Sequence, residues 1–274
     1  MNAEFEPVRY IGKEFANTDY HDGQLRPAVG VHSFQVLRAN RTHPELADGF
    51  GWTYNHAPML AYWNDRFYLE YLSNPVGEHI PPGQTLLTTS PDGVHWEKPV
   101  VAFPVRRVPD GVYRGPYPLP PGSDAVMHQR MGFYVAPDGR LLVLGFYGCC
   151  PTTLDFPNDG WGIGRVVREV YRDGTLGSIY FLRYNRHAGW NESNTFFPFY
   201  KQSSDAGFVA ACDALLADKL VTLQWWEEDR SQDGFYAAPG YKALSYYHLP
   251  DGRVVGLWKW SKAAINIRRW SHFR

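Results

Sequence analysis

The sequence lacks the features of proteins that depend on cysteine chemistry, on excess charge or on long apolar segments. Its three cysteines, Cys149, Cys150 and Cys212, cannot form a disulfide framework and lack the spaced pairs of a structural zinc site, so we interpret them as reduced core or turn residues. Lys and Arg total 27 against 28 Asp and Glu, and no basic run stands out, so nucleic acid is not an expected partner. No run of about 18 apolar residues predicts a membrane span.

Common catalytic and export signals are missing as well. The chain has no Gly-x-Ser-x-Gly elbow, Gly-rich phosphate loop, dinucleotide fingerprint or His-Glu-x-x-His helix. Residues 1–10 lack the apolar stretch of a secretion signal. For the sequence as given we therefore predict a cytoplasmic protein, and a periplasmic or secreted one if the N-terminus is incomplete. A structural or substrate-bridging Ca²⁺ held by loop oxygens leaves no sequence signal, and no other cofactor is expected.

The sequence does contain a recurring turn. Asp-Gly pairs that begin at Asp92, Asp138, Asp173 and Asp251 lie between runs of β-branched, aromatic and aliphatic residues, and Asp-Gly supplies the positive backbone angles of a two-residue hairpin. The successive gaps are 46, 35 and 78 residues, and the last is close to two units of about 40, the blade length of a β-propeller. We therefore predict an all-β fold of the β-propeller type.

The number of turns accounts for roughly three to four blades, fewer than a ring needs. We predict an incomplete propeller, truncated or frame-shifted near its end, or alternatively a compact ring completed by the N-terminal residues. A single domain would contain an arm (1–51), the blades (52–264) and an aberrant tail (265–274). Strands are predicted at 57–63, 67–72, 85–89, 131–136, 141–147, 165–171, 178–184, 243–248 and 254–260, with a short helix near 208–219 ahead of a strand at 220–226.

Candidate catalytic residues precede the first strands of the predicted blades, where side chains line the axis of a propeller. Tyr54, Asn55 and His56 open the first blade. Histidine can act as a general acid or base near neutral pH, and the neighbouring Asn and Tyr can orient its ring or bind sugar hydroxyls. His128 and Arg130 occupy the equivalent place before the second blade. We assign His56, His128 and Arg130 to catalysis, with a buried histidine bonded to backbone as the alternative.

The remaining candidates are predicted to bind substrate. Arg168 is suited to hold a carboxylate together with Arg130 in the bidentate manner that guanidinium favours. Trp225 and Glu227, followed by Tyr241 and Lys242, have the composition of a sugar subsite in which a ring stacks on an indole. The same composition is equally compatible with a strand end packed under a loop.

The run from Trp52 to Trp96 resembles the opening of the sialidase-like propellers, which include the rhamnosyl-glucuronate lyases and related α-L-rhamnosidases. It contains Asn55-His56-Ala57-Pro58, Asn64-Asp65-Arg66-Phe67-Tyr68 and Ser90-Pro91-Asp92-Gly93-Val94-His95-Trp96. The last string resembles a shortened Asp-box, a turn that Asp92 caps and Trp96 covers, so Asp92 is not a catalytic candidate. The resemblance continues through Met131-Gly132-Phe133-Tyr134, Gly164-Arg165-Val166-Val167-Arg168 and Trp258-Lys259-Trp260-Ser261-Lys262.

This resemblance implies action on a terminal rhamnose linked to glucuronate in an oligo- or polysaccharide. For a lyase, arginine neutralises the uronate carboxylate, a histidine removes the C5 proton, and His128 or a tyrosine assists departure of the leaving sugar. The alternatives are hydrolysis by a rhamnosidase or sialidase-like enzyme, with Glu227 and Glu228 as the nearest carboxylates, and a sugar-binding propeller without catalysis. A true sialidase is less expected, because neither the arginine triad nor the Tyr–Glu nucleophile pair of that family is evident in the sequence.

Overall fold

The computed structural model describes most of the chain between residues 34 and 270. The described residues are 24, 32, 34–78, 80–111, 113–114, 117–127, 131–152, 157, 161–222, 225, 241–249, 251–260 and 264–270, with the backbone alone at 113–114, 117–118, 187, 219–220, 241–248, 254–260 and 264–270. The chain divides into Met1–Gln35 and Val36–Arg274, and every element below belongs to the second unit.

The elements are predominantly short antiparallel strands. In chain order they are β1 (Tyr54–Trp63), β2 (Arg66–Asn74), β3 (Gln84–Ser90), β4 (Val100–Phe103), β5 (Arg106–Arg107), β6 (Tyr113–Arg114), β7 (Tyr117–Pro118), β8 (Asp124–Met127), β9 (Gly132–Val135), β10 (Leu141–Cys149), β11 (Gly162–Val170), β12 (Tyr180–Tyr184), α1 (Ala206–Ala217), α2 (Lys219–Thr222), β13 (Tyr241–His248), β14 (Val254–Trp260) and β15 (Ala264–Trp270). Single 3₁₀ turns lie at Pro44–Leu46, Arg186–Ala188 and Tyr200–Gln202.

These strands form sheets with the connectivity of propeller blades, which confirms the predicted fold class. The first sheet has the order β1-β2-β3-β4, so each strand pairs with its neighbour in the chain. The second runs β12-β11-β10-β8-β5, and β9 pairs with β10 beside β8, while the third is β13-β14-β15. Sequential antiparallel strands of this kind are the repeating unit of a β-propeller.

The predicted hairpins are present, but their turns differ from the expected type. Only the glycine of each Asp-Gly pair has a positive φ, with values of 76°, 85°, 83° and 81° at Gly93, Gly139, Gly174 and Gly252. Ala136 donates to the Arg140 carbonyl and Gly139 to the Ala136 carbonyl, which closes a three-residue loop that ends in a left-handed glycine. The two-residue turn is Asn64-Asp65, where φ is 49° and 57°.

The string from Ser90 to Trp96 has the structural role predicted for it. Asp92 Oδ1 accepts hydrogen bonds from the backbone N–H groups of Val94 and His95, both at 2.8 Å. The Trp96 indole N–H donates to the Gly93 carbonyl at 3.1 Å and so covers the turn. These bonds hold the pKa of the Asp92 carboxyl well below its usual range, with the His95 N–H as the largest cause.

One apolar core joins the first two sheets. Tyr68, Leu72 and Leu87 of the first sheet pack with Leu141 and Val143 of the second, and each is at most 2% exposed. A second core lies on the other face of the second sheet and includes the following residues of β10, β11 and α1: Leu142, Leu144, Val167, Phe208, Cys212 and Leu215. Removal of a leucine-sized side chain from water contributes about 1.5–3 kcal/mol, so the first core fixes the two sheets against one another and the second fixes α1 against the second sheet.

The helical insert begins and ends close to the predicted bounds, but the strand predicted after it is wrong where the structure describes it. Asp205 accepts a hydrogen bond from Phe208 N at 3.0 Å, which caps the first turn of α1. The segment expected to be the strand 220–226 begins instead as the helix α2. The Asp218 side chain accepts a hydrogen bond from Val221 N, and the Asp218 backbone carbonyl accepts one from Thr222 N. Residues 223, 224 and 226 lie outside the described part.

The tail also departs from expectation, since Ala264–Trp270 forms β15 along the whole of β14. Ile265 and Ile267 alternate with Asn266 and Arg268, which is the period-two pattern of a strand. The segment therefore continues the sheet rather than ending the pattern.

The cysteines are free and buried, as predicted. Burial raises the pKa of the Cys149 thiol far above its ordinary value and that of Cys212 to about 12. Both therefore remain protonated and unreactive at neutral pH.

Candidate functional site

A bulge near the start of β1 determines where the predicted site residues point. His56 pairs with Leu72 and Met59 pairs with Glu70, so two residues of β1 face one residue of β2, and Ala57 has a φ of 50°. This extra residue changes which residues face the shared core. After the bulge, Met59 and Ala61 pack against the shared core. Before it, Tyr54 and His56 lie on the same sheet face through their pairing with Asn74 and Leu72.

Glu78 joins Tyr54 and His56 at the end of this sheet face. It comes from the loop between β2 and β3, and that loop is brought beside β1 because Tyr54 pairs with Asn74. The Tyr54 hydroxyl donates to Glu78 Oε2 at 3.2 Å, and His56 Nε2 lies 4.0 Å from Glu78 Oε1. The rings of Tyr54 and His56 have centroids 5.8 Å apart. We call these three residues the rim cluster.

The rim cluster is open to solvent but not fully hydrated. The His56 side chain is 42% exposed and that of Glu78 is 20% exposed. Burial, followed by the charge of Glu78 and its hydrogen bond, raises the pKa of Tyr54 to about 12. The phenol is therefore protonated at rest, and its proton already points at a carboxylate that can accept it.

A buried acid lies deeper on the same sheet face. Glu70 is fully buried and sits two residues along β2 from Leu72, the residue that pairs with His56. Burial raises the pKa of its carboxyl well above the ordinary value, and the Gly132 N–H and the Arg165 guanidinium offset this only in part. Burial between the two sheets thus disfavours the ionised form of Glu70.

The segment predicted to supply a second histidine is bounded by residues that contact this same face. Met131 Sδ accepts a hydrogen bond from Thr85 Oγ1 at 3.3 Å, and Thr85 pairs with Leu72, which pairs with His56. Met127 ends β8, which lies between β10 and β5 in the second sheet, and it belongs to the shared core. His128 and Arg130 themselves lie outside the described residues, and their roles stay predictions.

Three other predicted substrate-binding residues have described side chains. Asn55 is exposed and points away from Tyr54 and His56, since neighbouring residues of a strand face opposite sides. Arg168 donates to the backbone carbonyls of Gly177 and Ala102, both at 2.8 Å, so it ties main chain together rather than presenting a free guanidinium.

Trp225 does not face an open sugar subsite. It is 3% exposed, and the guanidinium carbon of Arg165 lies 4.6 Å from the centroid of its ring. Arg165 contacts the Phe146 ring at 5.0 Å in the same way, so cation–π packing occupies the indole. Glu227 lies outside the described residues, and Tyr241 and Lys242 are described by backbone alone, on β13.

Sequence reasoning missed Glu78. It is 24 residues from Tyr54, and only the β1–β2 pairing shows that the loop after β2 returns to the start of β1. One signal was present, because Pro58 within a predicted strand marks a bulge and hence a change of the exposed face. A Tyr–Glu hydrogen bond that the sequence does not reveal therefore joins Tyr54 to Glu78 in the structure.

No group of three or more His, Cys, Asp and Glu side chains is arranged around a metal position within the described ranges. In that same part of the chain no helix has the length and apolarity to cross a membrane.

The comparisons with known proteins fall into two groups. A solved structure named "Sialidase" is 51% identical to this chain with a TM-score of 0.82, over 92% of this chain and 24% of that one. The chain thus spans about a quarter of that relative's length. A xylan β-1,4-xylosidase from Bacillus halodurans C-125 (13% identity, TM-score 0.32, 79% of this chain and 28% of that one) and a β-1,3-galactosidase (10%, 0.31, 79% and 58%) are too dissimilar to carry an argument.

A comparison with curated proteins gave no match. The family model described as "Beta-prop_BT_1020:-like, N-terminal beta propeller" matches residues 6–241, which include the first two sheets and the whole rim cluster. Because the match covers most of the chain, the protein belongs to this family of N-terminal β-propellers.

Proposed function

We propose that this propeller is a carbohydrate-active domain that hydrolyses the bond to a terminal sugar of an oligo- or polysaccharide. The observation that carries the proposal is the hydrogen bond from the Tyr54 hydroxyl to Glu78, at an accessible position beside His56. The 51% identical structure named "Sialidase" supports the same reaction class.

In this proposal Tyr54 is the nucleophile and Glu78 its base. The phenolic oxygen attacks the anomeric carbon as its proton passes to Glu78, and the bond from that carbon to the leaving oxygen breaks. The leaving oxygen takes a proton from His56, which acts as the general acid. Water then attacks the anomeric carbon and the bond from that carbon to the Tyr54 oxygen breaks. His56 takes the proton of the water, and the Tyr54 oxygen takes back the proton held by Glu78.

The resting state of Tyr54 favours a sugar with an acidic group near the reacting carbon. A carboxylate nucleophile would repel such a substrate by about 4 kcal/mol at 4 Å and an effective dielectric constant of 20, whereas a neutral phenol removes that repulsion at the attacking atom and leaves only the charge of Glu78 beside it. Tyr54 is neutral at rest because burial and Glu78 raise its pKa to about 12. The substrate class that we propose is a terminal acidic sugar such as a sialic acid, which the relative named "Sialidase" supports.

The direct test is turnover of a fluorogenic sialoside by the full-length protein, followed by mass spectrometry with a fluorinated sialoside that traps the sugar on the nucleophile. We expect release of the fluorophore and a sugar adduct on the peptide that contains Tyr54. An adduct on another residue would overturn the assignment of Tyr54. Saturable binding without release would indicate a sugar-binding domain.

A second candidate is β-elimination at a rhamnose–glucuronate linkage, and one observation favours it. The rim cluster pairs an imidazole with a phenol that stays protonated, which suits a base that removes the C5 proton and an acid that assists the leaving sugar. Elimination yields an unsaturated uronate that absorbs in the ultraviolet, and hydrolysis does not. Product absorbance on a rhamnose-capped glucuronate oligosaccharide therefore separates the two.

A further inference from the structure

A cleft of about 440 Å³ lies at the opposite end of the first two sheets from the rim cluster. Trp63 and Tyr54 are the two ends of the ten-residue strand β1, so roughly 30 Å separates the cleft from the rim cluster. The volume is within the range of small-molecule sites, about 300–1,000 Å³. Catalysis by Tyr54 does not involve this region.

Contacts between the two sheets build the walls of the cleft. The Trp63 indole N–H donates to the Gly139 carbonyl at 2.9 Å, which fixes the ring against the β9–β10 hairpin. Arg172, in the turn after β11, reaches Asn64 Oδ1 at 3.4 Å. Tyr171 adds a second aromatic wall and is 42% exposed. The aromatic walls are thus held in place without a ligand.

An ionic network forms the polar side of the cleft. Arg140 donates to Asp138 at 2.9 Å, to Glu169 at 2.7 Å and to Asp205 at 2.8 Å. Its guanidinium is therefore occupied by protein groups and is not a free binding site for an anion. The three carboxylates retain further lone pairs that can accept hydrogen bonds from hydroxyl groups.

The charge balance selects among sugars. The lining contains two cations, Arg140 and Arg172, and three anions, Asp138, Glu169 and Asp205, so its net charge is −1. Aromatic faces beside several acceptors suit a ring with hydroxyl groups, and the net negative charge disfavours a uronate or a sialic acid. We propose that this cleft is a non-catalytic subsite for a neutral sugar residue. It would anchor a polysaccharide at a distance from the reacting end.

The test measures binding by isothermal calorimetry and by tryptophan fluorescence, with xylotriose and a methyl rhamnoside as neutral probes and trigalacturonate as the acidic one. We expect at least one neutral probe to bind saturably and more tightly than trigalacturonate. Tyr171→Ala and Arg172→Ala should each weaken that binding about tenfold, since each removes one ligand contact. Tyr62→Ala, at a tyrosine that is 60% exposed and outside the cleft, is the matched control.

Failure of both neutral probes to bind, or equal affinity in Tyr171→Ala and the wild type, would overturn the subsite. The proposed hydrolysis is tested separately, because turnover of a small fluorogenic sialoside should be unchanged in Tyr171→Ala. Conversely, Tyr54→Phe should abolish turnover and leave the binding of the neutral probe unchanged.

Discussion

Tyr54 and Glu78 are bonded at 3.2 Å although they come from a strand and from the loop that follows the next strand. The bond joins a neutral phenol to the carboxylate that would receive its proton, and His56 lies 4.0 Å from the other carboxylate oxygen. The arrangement is preorganised, since strand pairing rather than substrate brings the two residues together.

Tyr54→Phe should lower turnover at least about a hundredfold, because it removes the reacting oxygen and keeps the ring. The thermal midpoint should change little, since Tyr54 is only half-buried at the rim. Tyr62→Phe is the matched control, because Tyr62 lies on the same strand and is 60% exposed. Equal loss of turnover in both variants would show that Tyr54 has no special role.

Glu70→Gln should stabilise the protein increasingly as the pH rises. The pKa of buried Glu70 is raised above its unfolded value of 4.5, so its favourable contribution is complete below that pH and is lost as the pH rises through the folded value. A glutamine is neutral at every pH and avoids this loss. Urea unfolding near pH 4.5 and near pH 8 should show the variant's advantage grow by more than about 1 kcal/mol.

An advantage of Glu70→Gln that shrinks with rising pH would contradict this prediction. It would mean that Glu70 is ionised in the folded protein and stabilised by the Arg165 guanidinium.

Asp205 both caps α1 and receives Arg140, and two substitutions separate these contributions. Asp205→Ala should lose about 1–2 kcal/mol of unfolding free energy, whereas Asp205→Asn should lose less because asparagine also caps helices. The pKa of Asp205 is lowered, chiefly by the Phe208 N–H, so the wild type's advantage over Asp205→Asn should disappear as the pH falls below about 3.8. Equal losses in both variants would indicate that the cap contributes nothing.

Gly164→Ala should destabilise more than Gly139→Ala, for a different reason. A Cβ on Gly164 would lie 2.4 Å from the Arg183 carbonyl oxygen, which is backbone of the paired strand β12 and cannot move aside. A Cβ on Gly139 meets nothing within 4 Å but must adopt a φ of 85°. We expect about 1–3 kcal/mol for the first and about 1 kcal/mol for the second, measured as urea midpoints. The reverse order would show that β11 and β12 can separate.

Local chemistry made much of the fold predictable. The hairpins around Asp138 and Asp251 were predictable because a glycine with positive φ lies between two segments rich in apolar residues. The helix near 208–219 was predictable because the spacing of apolar residues changes there from that of a strand to that of a helix. The strand expected at 220–226 failed because the Asp218 carboxylate, a short-range polar acceptor, starts a helix that hydrophobic periodicity does not reveal.

The candidate site was only half predictable. Tyr54 and His56 are identified by their position ahead of a strand, but Glu78 depends on a pairing register and on a bulge. Trp225 and Arg168 were assigned to substrate binding because the sequence does not show whether such a side chain is exposed or buried. Their actual partners, the Arg165 guanidinium for Trp225 and the Ala102 carbonyl for Arg168, are distant in the chain.

The bulge at Ala57 divides β1 into two parts with different surroundings. Met59 and Ala61, after the bulge, pack between the sheets. Tyr54 and His56, before it, lie at the solvent-accessible rim. Loss of one residue there would swing Tyr54 to the far side of the sheet and leave Met59 where it is. Substitutions at Tyr54 and His56 should therefore change the chemistry of the rim without changing the packing of Met59 and the residues after it.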